Sequence, residues 1–232
     1  MQFSVIIPTR NRPQFLAEAI ESVLAQQGVS FEILIVNDGD RTTPHFSDRR
    51  VKVLDNHRQG PIAARKFGVS LAAGDNIAFL DDDDYWIRND FLSRALQHLS
   101  SGSDFIFADG RMVFDDGRPD VDFAFDANAT SLETDNSILI SSVCYARLLH
   151  KKLGGFDESL PYYWDWDWYL RVARSGAKLQ RLAQASVAIR VHSNNMSGES
   201  RENARRKNLD AFTRKHGLKP IKLKNHLSFA LE

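Results

Sequence analysis

Apolar positions in the first hundred residues follow two alternating rhythms. Phe3-Ser4-Val5-Ile6-Ile7 is a short, nearly continuous apolar run, as expected of a strand buried on both faces. Pro8 breaks it, and Thr9 to Pro13 read as a polar turn. Phe15, Leu16, Ala19, Ile20, Val23 and Leu24 then recur on one helical face, and Gly28 ends that helix. Phe31 to Val36 is a second strand-like run, closed by the turn signal Asn37-Asp38-Gly39-Asp40. Val51 to Leu54 is a third. Gly60-Pro61 opens a helix carrying Ala63, Ala64, Phe67, Gly68 and Leu71 on one side, with proline in its favoured first turn, and Gly74 stops it. Ile77 to Leu80 is a fourth strand, and it runs directly into Asp81-Asp82-Asp83-Asp84.

Strands alternating with helices predict an α/β fold with a parallel sheet and crossover helices. Ligands of such sheets sit at the carboxyl ends of the strands. The polar clusters lie at those ends: Thr9-Arg10-Asn11-Arg12, Asn37-Asp38 and Asp81 to Asp84. They are therefore expected to converge on one crevice.

The second half is less regular. Leu92 to Leu99 predicts a helix, Asp104 to Ala108 a strand, and residues 115–135 an acidic loop. Ile138 to Leu149 is apolar again. Tyr162 to Arg174 predicts a helix crowded with aromatics, and Val187 to Val191 a strand ending at His192. Residues 201–224 hold nine Lys or Arg against two Asp or Glu.

Composition narrows the function classes. A chain of 232 residues is one large domain or two fused sub-domains. With 30 basic and 30 acidic side chains it is not a globally basic nucleic-acid binder. An apolar content of 43% excludes a disordered chain. No uninterrupted apolar run exceeds four residues, so no bilayer-spanning helix is expected. The segment MQFSVIIPTR lacks the charged and apolar regions of a secretory leader. The lone Cys144 reads as a small buried hydrophobe, and the expected location is cytoplasmic.

The four aspartates carry the strongest chemical signal. Two carboxylates about 4 Å apart repel by about 4 kcal/mol at an effective dielectric near 20. A hard divalent cation that also holds phosphate oxygens relieves this; an acidic loop in water or a helix cap is the alternative.

These segments together resemble the family 2 glycosyltransferases of GT-A fold. SVIIPTRNRPQFLAEAIESVLAQQ resembles the family's opening strand, turn and helix, and EILIVNDGD its second strand. GPIAARKFGVSLAAGDNIAFLDDDDYW resembles the helix and DXD strand, and GGFDESL with WDWDWYLRVARSG the acceptor segment. The likeness runs over residues 3–195. It implies a Rossmann-like, mostly parallel sheet with helices on both faces. A nucleotide-sugar half (residues 1–110) would be fused to an acceptor half (111–200), followed by a basic helical tail (201–232).

Carried over residue by residue, the resemblance makes Asp83 a ligand of Mn²⁺ or Mg²⁺, with Asp81 and Asp82 on the donor side and Asp84 helping to position the site. Asp38 would bind the nucleotide base, Pro8, Thr9 and Arg12 would lie along base and ribose, and Arg65 would face the diphosphate. His192 is a candidate second group on the metal or diphosphate. Asp165 is the implied general base of an inverting transfer, with Asp167 the alternative. Residues two apart on a helix face different ways, and Asp165 lies nearer the helix N-terminus, where the dipole favours a carboxylate. Asp167 is expected to pair with Arg171 one turn on. Trp164, Trp166 and Trp168 read either as sugar platforms or as core. The chain departs from the family pattern at Asn37, Asp40 and Trp164.

The resemblance implies an inverting, metal-dependent glycosyltransferase that uses a nucleotide-diphosphate sugar, UDP-linked first, in polysaccharide or glycoconjugate biosynthesis. Its acceptor would be a saccharide or lipid-linked hydroxyl. The rival readings are a sugar nucleotidyltransferase, which normally needs a Gly-rich loop where this chain has PTRNRP, and a degenerate nucleotide-binding module. The basic segment 201–231 can lie on an anionic membrane, which would make the protein peripheral at the inner face without affecting donor chemistry. It can equally pack on the transferase core.

Overall fold

In the computed structural model, which describes residues 1–40, 43–44, 46–57, 59–192 and 201–231, one nine-stranded sheet runs through the chain. Strands β1 (Phe3–Thr9), β2 (Phe31–Asn37), β3 (Val51–Asp55) and β4 (Asn76–Phe79) form its first half in the order β3-β2-β1-β4. All three pairings are parallel, so their carboxyl ends lie on one edge. The sheet continues through β8 (Val143–Ala146), β6 (Phe105–Phe114), β9 (Leu179–Val191) and β5 (Tyr85–Trp86), with β7 (Val121–Phe123) on β6. β8 is antiparallel to both β4 and β6, whereas β9 is parallel to β6.

The near-continuous apolar runs are explained by helices on both faces. Val5, Ile7, Ile33 and Ile35 pack with Leu16, Ile20 and Val23 of α1 (Pro13–Leu24) and Phe91 of α3 (Phe91–Ser100). The alternate residues Ile6, Leu34, Val36 and Phe79 face α2 (Pro61–Leu71) and α5 (Trp164–Arg174). Gly68 lets α2 lie close to the sheet, since a Cβ there would come 2.6 Å from Cγ2 of Ile6.

The second half differs from the sequence reading in its boundaries. The strand expected over 104–108 extends to Phe114, and the one expected from Val187 starts at Leu179. These two pair along their length, with an irregularity between Ala108 and Gly110. Much of β9 is only half-buried, so it carries no continuous apolar run. The acidic loop contains β7, and Ile138 to Leu149 divides into a 3-10 turn, β8 and the start of α4 (Arg147–Leu153). α5 begins at Trp164 rather than Tyr162. Cys144 is fully buried, and burial pushes its thiol pKa up.

The basic C-terminal segment packs on this framework. α6 (Glu202–His216) buries Leu209 and Phe212, and the Phe212 ring stacks on Trp166 at 4.5 Å. Arg206, Lys207 and Arg214 remain exposed. The chain then returns across the molecule to α7 (His226–Ala230). Among the described residues no helix is long and apolar enough to cross a membrane.

Candidate active site

The carboxyl ends of β1, β2 and β4 open into a cavity of about 520 Å³. Pro8, Thr9, Arg12, Asp38, Arg65 and Asp81 to Asp84 line it, together with Asp165. His192 joins them through its contact with Asp83.

Parallel pairing of β1 with β4 brings the turn after β1 onto the aspartate run. Thr9 Oγ1 donates to Asp82 at 2.7 Å, and the Arg10 amide donates to the same oxygen at 3.3 Å. Burial and the neighbouring Asp83 charge push the Asp82 carboxyl up to about 6. The Arg12 guanidinium donates to Asp83 and, at 3.4 Å, to Asp82. His192 Nε2 lies 3.0 Å from the Asp83 carboxylate, with its ring stacked on Phe15. The turn after β1, the end of β4 and the end of β9 therefore converge on Asp83.

Arg65 is buried, unlike the solvated helix-face residue its position could have implied. It donates to Asp81 and to the Pro61 carbonyl, and it lies 4.7 Å over the Trp164 ring. Its Nε is buried without a hydrogen-bond partner among the described residues. Asp38 is also buried; it accepts from Asn56 Nδ2 at 2.6 Å and from the Gly60 amide at 3.0 Å, bracing the turn into α2.

Asp84 is more than a spacer. It accepts from the Ser141 hydroxyl at 2.6 Å and from the Arg190 amide at 3.2 Å. Burial first, then the charges of Asp83 and Asp81, push its carboxyl well up. Oxygens of Asp81, Asp83 and Asp84 lie within 4.8 Å of one another. Clustered hard oxygen donors suit Mg²⁺ or Mn²⁺, so the residues fit a divalent cation. Arg12 and His192 already contact Asp83, so a cation would share that carboxylate with them.

At the start of α5 the two acidic residues separate. Asp165 faces the cavity; it accepts from Asn136 Nδ2 at 3.2 Å and from the Trp166 amide at 2.8 Å. Burial pushes its carboxyl up to about 6. Asp167 is fully buried and points the other way. It accepts from Arg171 Nε at 2.9 Å, His216 Nε2 at 2.8 Å and Lys215 Nζ at 2.6 Å. Burial opposes its ionisation, but these bonds outweigh burial and hold the carboxyl below its usual range. The expected pairing of Asp167 with Arg171 is present. All three tryptophans are buried; Trp164 and Trp166 reach the cavity wall, whereas Trp168 lies in the core.

The sequence reading missed several residues. Asn56, Asn136 and Ser141 orient Asp38, Asp165 and Asp84, and nothing in their local pattern marks them. The far side of the cavity is lined by Arg201, Arg205, Lys222 and Lys224. The basic tail thus packs on the core and borders the site. Leu209 and Phe212 dock α6 on the core, with Phe212 against Trp166, the residue after Asp165. Ser193 to Ser197, which follow His192, lie outside the described residues.

Residues 4–144 match the profile of Glycosyl transferase family 2. The uncharacterized glycosyltransferase YwdF of Bacillus subtilis is 31% identical over 97% of this chain and 88% of its own length. The Escherichia coli UDP-Glc:alpha-D-GlcNAc-diphosphoundecaprenol beta-1,3-glucosyltransferase WfgD is 33% identical over 47% of this chain and 46% of its own. Among solved structures, S. aureus TarS 1–349 in complex with UDP-GlcNAc aligns with a TM-score of 0.70 at 20% identity, covering 93% of this chain and 66% of TarS. The mannosyltransferase PcManGT of Pyrobaculum calidifontis, in complex with GDP-Man and Mn²⁺, aligns with a TM-score of 0.66 at 14% identity, covering 99% and 68%. These likenesses establish the GT-A fold.

Proposed function

The chain belongs to glycosyl transferase family 2, and we propose that it is an inverting transferase that moves a sugar from a UDP-sugar to the hydroxyl of a saccharide or lipid-linked acceptor. Nucleotide-sugar transfer in glycoconjugate biosynthesis is the activity of the family-level reading. The preference for UDP is supported by WfgD, whose name gives UDP-Glc as donor and a diphosphoundecaprenol-linked sugar as acceptor.

The observation that carries the reading is the pairing of two carboxylate centres across one cavity. Asp165, raised to about 6 by burial, suits a base that is ionised at neutral pH yet avid for a proton. Its carboxylate takes the proton of the acceptor hydroxyl as that oxygen attacks the anomeric carbon. The bond from the anomeric carbon to the diphosphate oxygen breaks on the opposite face, and the nucleoside diphosphate leaves with that electron pair. Asn136 holds the carboxylate in position. Arg65 offers its buried guanidinium to the diphosphate, and Arg12 and His192 flank Asp83. A divalent cation held by Asp81, Asp83 and Asp84 would supply charge neutralisation of the leaving group. Asp38, Pro8 and Thr9 would border the nucleoside. Cytoplasmic work at the inner membrane face follows if the acceptor is lipid-linked, with Arg206, Lys207 and Arg214 exposed toward anionic lipid.

The test is nucleotide release from UDP-, GDP- and dTDP-sugars with Mn²⁺ present or chelated. Turnover of UDP-sugars that requires the cation supports the reading. Preferential release of GDP, or activity indifferent to chelation, would overturn the donor or the metal assignment respectively.

A further inference from the structure

The cavity wall contributed by the C-terminal segment has a composition that the sugar-transfer reading leaves unexplained. Its lining from residues 201–226 holds four cationic side chains, Arg201, Arg205, Lys222 and Lys224, and no carboxylate among the described residues. They are far apart in sequence, and the fold gathers them. Arg205, on the first turns of α6, is 7% exposed and donates to the Lys224 carbonyl, which ties the returning chain to the helix. Lys224 Nζ reaches Asp135 Oδ1 at 3.1 Å. Arg201 and Lys222 are exposed at the cavity rim.

This wall is built on the acceptor side. Asp135 precedes Asn136, the residue that bonds Asp165. Asn208 Oδ1 of α6 accepts from the Tyr162 amide at 2.9 Å, just ahead of α5, and Phe212 stacks on Trp166, just after Asp165. Burial raises the Tyr163 phenol pKa against the pull of the nearby Arg205 charge, so that guanidinium also lies close to the start of α5. A neutral sugar needs hydroxyl partners and has no use for four converging cations. A phosphate oxygen is the anion that guanidinium and ammonium groups bind best together.

We infer that Arg201, Arg205, Lys222 and Lys224 form a subsite for a phosphate or diphosphate carried by the acceptor, next to the hydroxyl that Asp165 would deprotonate. The inference rests on the proposed transfer for the position of the acceptor, but it can be measured without turnover. The acceptor's phosphate approaches from the C-terminal wall, while the donor's diphosphate is assigned to the aspartate cluster. Both sources share one chemistry, so the experiment must separate them.

The probes are an alkyl glucosaminyl diphosphate and the matching uncharged alkyl glucosaminide, titrated calorimetrically into the full chain without donor or metal. The diphosphate is expected to bind more tightly, with an affinity that falls as salt rises. In the double variant Arg201→Ala/Lys222→Ala, whose side chains are exposed and not needed for packing, that advantage should shrink by roughly 30-fold, the order expected for two partly solvated phosphate contacts. Arg201→Lys/Lys222→Arg should retain most of it, since the charges remain. UDP titrated with Mn²⁺ into the same proteins is the donor arm. Equal binding of the two probes by the native chain would overturn the inference, as would an unchanged advantage in the alanine variant. A loss confined to UDP would assign the wall to the donor and overturn it too. Failure of all sugar transfer with the diphosphate preference intact would instead refute the proposed activity and leave the subsite standing.

Discussion

The carboxylates that end β4 and those that start α5 are all buried or half-buried, yet they reach different states. At the end of β4 four aspartates are consecutive, and their mutual repulsion adds to burial. Asp82 is pushed to about 6 and Asp84 well up, although Arg12, Arg65 and His192 stand against the cluster. On α5 the two acids sit on different faces of one helix. Asp165 is hydrogen-bonded by an amide side chain and a backbone amide, feels the Arg65 charge without bonding it, and rises to about 6. Asp167, more deeply buried, is held low by hydrogen bonds from His216 and Lys215 and by Arg171. Burial sets the penalty for charge, and the supply of partners decides whether the penalty is met. A reactive carboxylate is one left partly unmet: at β4 by crowding, on α5 by isolation.

The strongest way to break this comparison is to remove a member of the crowded cluster. Asp83 touches both Arg12 and His192 and belongs to the oxygen triad. Asp83→Ala is expected to lower metal-dependent nucleotide release by at least about 10³-fold, with an unchanged circular-dichroism spectrum. Equal activity and an equal Mn²⁺ response in both proteins would remove Asp83 from the site. The isolated acid comes next. Asp165→Asn should lower kcat by at least about 10²-fold, with the donor KM nearly unchanged, as for a lost general base.

How much of this contrast is legible in the sequence depends on the kind of burial. The first half reads plainly, because parallel strands covered on both faces leave runs such as Val5-Ile6-Ile7 and Ile77 to Leu80, and each run ends in the polar residues that line the cavity. The aspartate run is visible for the same reason. β6 and β9 are blurred because their outer halves are half-exposed and carry mixed residues. The helix periodicity separates Asp165 from Asp167 but does not say what covers each face; that depends on Asn136, Lys215 and His216, between 29 and 49 residues away. The cationic wall is least legible of all. Its basic residues look like a solvated tail until α6 docks through Leu209 and Phe212.

A subtler test sharpens the same contrast through pH. A carboxyl raised to about 6 is protonated below that value and ionised above it, so the base form of Asp165 is lost as pH falls through 6. The acid limb of log kcat/KM is therefore expected to bend near pH 6, with a loss of about tenfold per unit below the bend. A limb near 4 would mean that Asp165 meets a cation in the working enzyme, which would make it resemble Asp167. Because Asp82, also raised to about 6, takes up a proton in this range, the profile should be taken at saturating Mn²⁺.

The smallest effect on chemistry is expected at Asp167. Asp167→Asn keeps the shape of the side chain but removes the charge that Arg171, Lys215 and His216 share. Arg171 keeps the carbonyls of Leu153 and Gly155, and Lys215 keeps Asp157, so these cations are not stranded. The loss should then sit at the low end for a broken buried pair, about 3 kcal/mol. For a chain of this size that is a fall in Tm of about 5–10 °C. Since the carboxylate points away from the cavity, kcat should change by less than about threefold at temperatures where the variant is folded. Its effect on the site should come through α6, which it fastens to α5, and appear as a modest rise in acceptor KM. A variant that melts like the native chain but has lost turnover would reverse the two assignments on α5, making Asp167 the base and Asp165 the structural acid.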